Sequence, residues 1–440
     1  MEEINFALDT FYAVMAGALV MFMAAGFTML EAGLVQKKDV SEIVTKNIGL
    51  YSIACIMYLV CGFILMYPGG ALIEGIIPSI GTSLGLSTSL PMEQIGMVYG
   101  SSFDAEGVLE EDAIAYAHQA DFFFQVVFVA TAMSIVSGAV AGRMKLLPFF
   151  LFAIVLTGFI YPIQGYWNWG SGFLSSNGYF DYAGSGTVHL CGAAAALAVV
   201  MVLGPRKGKY SYDGSSLPMP GSNIPMAALG AWILWLGWFG FNGGSELAVA
   251  SEESAVNVAQ VFMNTNMSAA GGVVAALLMS LIMTGKMDVT MAINGAIAGL
   301  VAITASPAAP SAGVAVLIGA AGGVLVYLSI IFFDTKLKLD DPVGAISAHG
   351  VVGILGVMVV PITSGDLTAV PEGEEPGLTK SMEFVWQFIG VISIAGFAFI
   401  SSLITTLVIN KFMPIRATDE EQDLGLDVSE IGVEAYPEFK

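Results

Sequence analysis

Eleven runs of about twenty mainly apolar residues divide this chain of 440, and they restrict it to one architecture. They lie at approximately 10–34, 47–67, 121–142, 147–165, 187–204, 224–245, 257–284, 289–305, 312–334, 343–362 and 384–410. A helix of that length crosses ~30 Å of hydrocarbon. Lipid offers the backbone no hydrogen-bond partners, so each run satisfies itself as a helix. The sequence therefore predicts an all-α polytopic membrane protein with eleven transmembrane helices, the eighth short and Gly-rich. Composition agrees, since 56% of residues are hydrophobic and 12% charged, against about a quarter charged in soluble domains. The 52 glycines suit helices that pack backbone to backbone.

The fifteen Lys and Arg residues set the orientation. Lys37, Lys38 and Lys46 follow the first run, Arg143 and Lys145 the third, and Arg206, Lys207 and Lys209 the fifth. Lys286 follows the seventh, Lys336 and Lys338 the ninth, and Lys411, Arg416 and Lys440 the last. Lys380 alone falls in an even-numbered loop, so the positive-inside rule puts the N-terminus outside and the C-terminus in the cytoplasm. The loop between the second and third runs holds Glu74, Glu93, Asp104, Glu106, Glu110, Glu111 and Asp112 and no base. It reads either as a solvated loop or as a negative potential that concentrates cations at an outer mouth. The start, MEEINFALDT, has no basic n-region, so no cleavable signal peptide is expected. Cys55, Cys61 and Cys191 sit within apolar runs without zinc spacing and read as packing residues; neither metal nor cofactor is expected.

An internal repeat stands out. DYAGSGTVH (Asp181 to His189) opens the fifth run and DPVGAISAH (Asp341 to His349) the tenth, each with a His eight residues after an Asp. Five runs separate the copies, an odd number, so the halves (about 10–205 and 224–362) are expected to be two inverted five-helix repeats followed by a final helix. Transporters built this way carry their site near the midplane where the halves meet.

Of the three histidines, His118 precedes the third run and reads as a solvated loop residue. His189 and His349 fall inside the bilayer, where an ionisable group normally faces a cavity or a partner. Two neutral imidazoles from inverted halves converging on one axis can share a proton, giving a polar thread for a small hydrogen-bonding molecule such as ammonia or water. Aromatics cluster nearby: Phe122, Phe123, Phe124 and Phe128 on the third run, Trp167 and Trp169 before the fifth, and Trp232, Trp235, Trp238, Phe239 and Phe241 on the sixth. Phe124 and Phe128, four apart, share a helix face. Such rings pack cores and belts, and collectively can also hold a small cation by cation–π contact. Asp181 and Asp341 are placed to cap their helices, with proton transfer by Asp181 as the lesser reading.

These residues resemble the ammonium transporter family, of the transporter branch rather than the Rhesus branch. DYAGSGTVHLCGAAAALAVVMVLGPRKG is similar to its signature, and WNWGSGFLSSNG, WFGFNGGSE and DDPVGAISAHGVVG match further blocks in order, so that the likeness spans roughly residues 10 to 436. The resemblance implies an outer ammonium-recruitment site at Trp169, Phe124 or Phe128, and Ser245. It also implies a gate of stacked rings at Phe128 and Phe241, twin pore histidines at His189 and His349, and the signature Asp at Asp181. It further implies trimers in the plasma membrane, with a membrane domain over 1–410 and a cytoplasmic regulatory tail over 411–440. In that tail Gly425, Leu426 and Asp427 followed by EIGVEAY resemble a segment that engages PII signal proteins, with Ile431 in place of the usual His. Where the family commonly has an acid after the third run, Gly142 precedes Arg143, which weakens the argument for coupling between that loop and the tail and leaves the pore assignment untouched.

The expected activity is ammonium transport: ammonium binds outside, loses a proton at the Phe gate, and passes as ammonia along the histidines, with or without the proton. The rival is an ammonium sensor that moves little substrate. The thirty or so residues after the last run are too few for a kinase or cyclase. An enzyme is not expected, since the runs hold no paired carboxylates, metal cluster or nucleophile with its base.

Overall fold

The computed structural model describes residues 2–68, 70–79, 116–364 and 378–438. The acids Glu93, Asp104, Glu106, Glu110, Glu111 and Asp112 of the loop after the second run, and Lys440, lie outside the described residues. Among the described residues, ten helices are long and apolar enough to cross a membrane, and an eleventh is shorter. In chain order they are α1 Glu2–Leu34, α2 Lys37–Met66, α3 His118–Val140, α4 Leu146–Asn168, α5 Ser185–Leu203, α6 Ile224–Gly244, α7 Glu252–Thr284, α8 Val289–Ile303, α9 Ala312–Leu337, α10 Ile346–Thr363 and α11 Lys380–Phe412. A helix stands at each of the eleven expected runs, and the eighth is the short one, with 15 residues or roughly 22 Å of helix.

Position in the bundle follows side-chain composition. α3 is buried along nearly its whole length, whereas α11 buries one face and turns Phe388, Ile392, Ile404 and Phe412 outward as a lipid-facing surface would. Glycine allows close approach where helices meet backbone to backbone. A Cβ on Gly272 of α7 would collide with the carbonyl of Gly295 in α8, and one on Gly323 of α9 with that of Gly272. Five of the spans contain a π turn: Tyr58–Gly62, Leu156–Ile160, Ser185–Leu190, Phe333–Leu337 and Ile346–Val351.

One end of the bundle is knitted by charge. Arg206, after α5, pairs with Asp340, before α10, through Nε and Nη2 at 2.8 and 2.7 Å, and its backbone N–H also donates to that carboxylate. Fully buried Arg143 donates to the carbonyls of Ala139, Ala141, Gly204 and Asp340. Burial pushes the Asp340 carboxyl up, but the Arg206 hydrogen bonds and the charges of Arg143 and Arg206 outweigh it and hold it well below the usual carboxylate range. Burial draws Arg143 down to about 10, which leaves it charged at neutral pH.

The tail docks on this end. Met144 and Arg416 form an antiparallel bridge, and a short helix, α12 Asp419–Leu424, starts with a capping box at Thr418 and Glu421. Lys145 pairs with Glu421 at 2.7 Å and Lys207 with Asp423 at 2.6 Å. The Leu426 N–H donates to Asp39, and the Asp427 carboxylate accepts from the backbone N–H of Glu42. Two expectations change here. The loop after α3 is directly tied to the tail, although Gly142 stands where an acid was expected. Gly142 has φ +74, and a Cβ there would press on Arg206 and Asp39 at 3.2 Å, so backbone geometry explains the residue. Lys46 is not a loop base: it lies in α2, buried against Glu42 at 3.5 Å.

Two outcomes are expected. Because the folded carboxyl of Asp340 titrates lower than the unfolded one, its contribution is present above about pH 4 and is lost as pH falls through the folded value. Asp340→Asn leaves the buried Arg206 guanidinium without its charged partner and should cost about 3–5 kcal/mol, read as a lower melting temperature near neutrality and a flatter melting profile below about pH 4. Gly425, at φ +98, sits where a Cβ would strike the Lys38 carbonyl. Gly425→Val should therefore undock the tail, seen as faster limited proteolysis between residues 413 and 425.

Candidate functional site

At the end of the bundle opposite the tail, the start of α3, the end of α4 and the end of α6 enclose a cavity of about 440 Å³. Its walls are mainly aromatic, with Phe124, Phe128, Trp169 and Tyr182, and its polar groups include Asp121, Gln125 and Ser245. Trp169 is held in place by its indole N–H, which donates to the Asp181 carbonyl at 3.0 Å. Ser245 donates its hydroxyl to the Phe241 carbonyl at 2.8 Å, which leaves the oxygen's lone pairs available to accept from a guest. Phe124 and Phe128 both face the cavity, 4.7 Å apart between ring centroids, and Phe128 stands edge-on to Trp169 at 6.0 Å. The sequence left Phe124 and Phe128 as alternatives; the structure brings both to the cavity. His118 is exposed at its rim.

Sequence reasoning passed over Asp121, Gln125 and Tyr182. Asp121 was legible in principle, as the acid that opens a run otherwise led by three phenylalanines. Gln125, four residues on, is buried, and its Oε1 has no hydrogen-bond partner among the described residues. Tyr182 directs its hydroxyl to Glu246 at 2.6 Å.

The floor of the cavity is a ring pair. Phe128 and Phe241 stack with centroids 4.0 Å apart and planes 24° from parallel. Beyond them His189 stacks on Phe241 at 5.3 Å and on Trp238 at 5.0 Å. His349 follows, its Nδ1 at 3.2 Å from Nδ1 of His189, and its ring 6.3 Å from Phe27. At that separation one imidazole donates and the other accepts, so a single proton lies between them. His189 Nε2 has no hydrogen-bond partner among the described residues. The result is a line of rings, Phe128, Phe241, His189, His349, Phe27, running inward from the aromatic cavity.

Matching local structure delivers both histidines. Each sits in a π turn that opens its helix, Ser185–Leu190 in α5 and Ile346–Val351 in α10. Each turn follows a glycine in the left-handed region, Gly184 at φ +106 and Gly344 at φ +77, a conformation that costs glycine little. Each is capped by the repeat's Asp. Asp341 accepts from the N–H groups of Gly344 and Ile346. Asp181 accepts from the N–H groups of Gly184, Gly186 and Thr187 and from the hydroxyls of Thr187 and Tyr179. The nine-letter sequence repeat is thus also a repeat of backbone conformation and capping.

The model of the Ammonium Transporter Family matches residues 11–436 of this chain. The chain belongs to that family. It is 37% identical over 453 aligned residues to the ammonium transporter Amt2 of Archaeoglobus fulgidus, covering all of this chain and 90% of that protein. The ammonium transporter of Bacillus subtilis is 30% identical, with 97% and 98% covered. Among solved structures, one described as a sensor Amt protein has a TM-score of 0.84 at 33% identity, covering 98% of this chain and 100% of that one. Mep2 of Candida albicans has 0.80 at 25% identity, covering 99% and 92%. Family membership makes the protein a channel or transporter of the membrane rather than an enzyme, with ammonium as the family's substrate.

Asp181 caps the helix that carries one of the paired histidines, so Asp181→Ala should destabilise by about 3 kcal/mol or more, the loss of several hydrogen bonds to one buried carboxylate. Asp181→Asn, which keeps an acceptor for the same donors, should recover part of that loss. Thermal melting of the two variants in detergent checks the order.

Proposed function

We propose that the protein transports ammonium by separating it into ammonia and a proton and carrying both inward. The observation that supports this most is the succession of aromatic cavity, stacked Phe pair and paired histidines. Ammonium is recruited by Trp169, Phe124, Phe128 and Ser245: the rings offer cation–π contacts of ~0.5–2 kcal/mol and the serine oxygen replaces part of the hydration shell. The half-buried carboxylate of Asp121 in the same wall favours a cation over a neutral guest. Stacked Phe128 and Phe241 leave no polar group to solvate a bare ion, whose burial is too costly. Ammonium therefore gives up a proton at this gate, ammonia passes as a neutral molecule along His189 and His349, and the proton moves through the shared Nδ1 contact. Potassium can also contact the rings but has no proton to shed, so it is excluded.

The charge pattern supports an N-out, C-in orientation in the plasma membrane, with residues 1–410 as the membrane domain and 411–440 as a cytoplasmic regulatory tail. The matched histidine turns support two inverted five-helix repeats. By family likeness we infer a homotrimer, and the docked Gly425–Asp427 segment supports regulation through the tail, with a PII signal protein as the partner. The likeness to the structure described as a sensor Amt protein favours a second reading, an ammonium sensor that passes little substrate.

The test is an ammonium pulse on proteoliposomes with current recorded. A saturable current is expected with ammonium and none with potassium, falling by at least about tenfold in His189→Ala/His349→Ala. Ammonium binding with neither current nor internal pH change would instead support the sensor.

A further inference from the structure

The pore's inner side holds a carboxylate to which the transport scheme assigns nothing. A cavity of about 20 Å³ abuts His349, lined also by Phe27, Glu31, Ser134 and Asn294. A space of that size, with Glu31, Ser134, Asn294 and His349 as the polar groups among mostly apolar walls, admits about one water. Glu31, on α1, is 1% exposed. Its Oε2 accepts from Ser137 Oγ at 2.7 Å and Asn47 Nδ2 at 3.2 Å, while its Oε1 has no hydrogen-bond partner among the described residues. An ionised carboxylate oxygen so deep and so little solvated is costly, and a proton or a water on Oε1 relieves the cost.

The surrounding charges point the same way. From α2, Lys46 and Glu42 form a buried ion pair at 3.5 Å, and both act electrostatically on Glu31. Asp39, nearer the tail, acts on Glu42. α3 offers the hydroxyls of Ser134 and Ser137, α8 the amide of Asn294, and α10 the imidazole of His349. Near the cavity the charged set is therefore two carboxyl groups and one ammonium. It is electrically balanced when one carboxyl carries a proton, and ionised Glu31 leaves one negative charge that is uncompensated beside the pore. Such a site takes up and returns a single proton with little rearrangement.

We propose that Glu31 is the inner proton carrier of the pore: it takes the proton held by the histidine pair across one water and returns it to ammonia in the inner cavity. This rests on the transport reading given above. The step balances. As the N–H bond at His349 breaks, an O–H bond forms at Glu31 Oε1; that O–H then breaks as ammonia becomes ammonium. The histidine pair and Glu31 end as they began, and one ammonium has moved inward with its charge.

The test uses the full chain in proteoliposomes, with current and internal pH recorded together after an ammonium pulse. Glu31→Gln keeps the size and an acceptor for Ser137 and Asn47 but cannot carry a proton; Glu31→Asp can. The expected result is a current at least about tenfold lower in Glu31→Gln. Internal alkalinisation should then appear, because ammonia enters without its proton. Glu31→Asp should recover part of the current with a shifted pH profile. A wild-type current in Glu31→Gln overturns the proposal. So does a parallel loss of current and ammonia entry in Glu31→Gln, which marks structural damage rather than a lost proton carrier. Wild-type protein that alkalinises the liposomes without any current contradicts the electrogenic reading itself, apart from Glu31.

Discussion

Two ring nitrogens, His189 Nδ1 and His349 Nδ1, meet at 3.2 Å inside the helix bundle, and much of the surrounding structure serves that contact. Histidines from two different spans reach each other only if both helix starts are held deep and turned inward. The π turns widen the helix at those residues, Gly184 and Gly344 reverse the chain, and Asp181 and Asp341 satisfy the first N–H groups, which have no partner within the helix. Without those caps, unsatisfied donors would sit in hydrocarbon at several kcal/mol each. Asp181 also links this support to the outer cavity, because its own carbonyl receives the Trp169 indole N–H.

From the aromatic cavity inward, polarity falls and then partly returns. The cavity offers a carboxylate, an amide and hydroxyls; the Phe128 and Phe241 rings offer none; the histidines offer nitrogens that exchange one proton; and the inner cavity again holds a carboxylate at Glu31. In the proposed transport, such a filter selects by acidity rather than by size: a cation would enter the apolar section only by leaving its charge behind as a proton, which would separate ammonium from potassium at similar radius without a ring of carbonyl ligands.

Much of this was legible in the chain because hydrocarbon permits so few solutions. Twenty apolar residues have little choice but a helix, so most span limits fell within about five residues of those observed, whereas the first two helices begin eight and ten residues earlier than expected, through polar turns that hydropathy does not count. The repeated Asp-to-His spacing pointed to paired histidines because intramembrane imidazoles are scarce. Other features left no trace in composition. A π turn adds a residue to a helical turn without altering hydrophobicity, so the widening at Ser185–Leu190 and Ile346–Val351 had no signal. Lys46 read as a loop base because a lone ammonium in a span is costly; its partner Glu42, one turn earlier, makes the position tenable. Gly142 read as a missing acid, whereas its positive φ and the strand-like pairing of Met144 with Arg416 tie that loop to the tail through backbone atoms that carry no side-chain code.

In the proposed transport, an N–H bond of ammonium breaks before the molecule passes the ring pair. The most direct measurement is the ammonium current in heavy water against light water, in the same liposomes and at matched acidity. Because a proton would move between nitrogens in the transport cycle, the current in heavy water should fall by clearly more than the change in solvent viscosity. Currents that differ only by viscosity would contradict it and would mean that ammonium crosses as an intact ion.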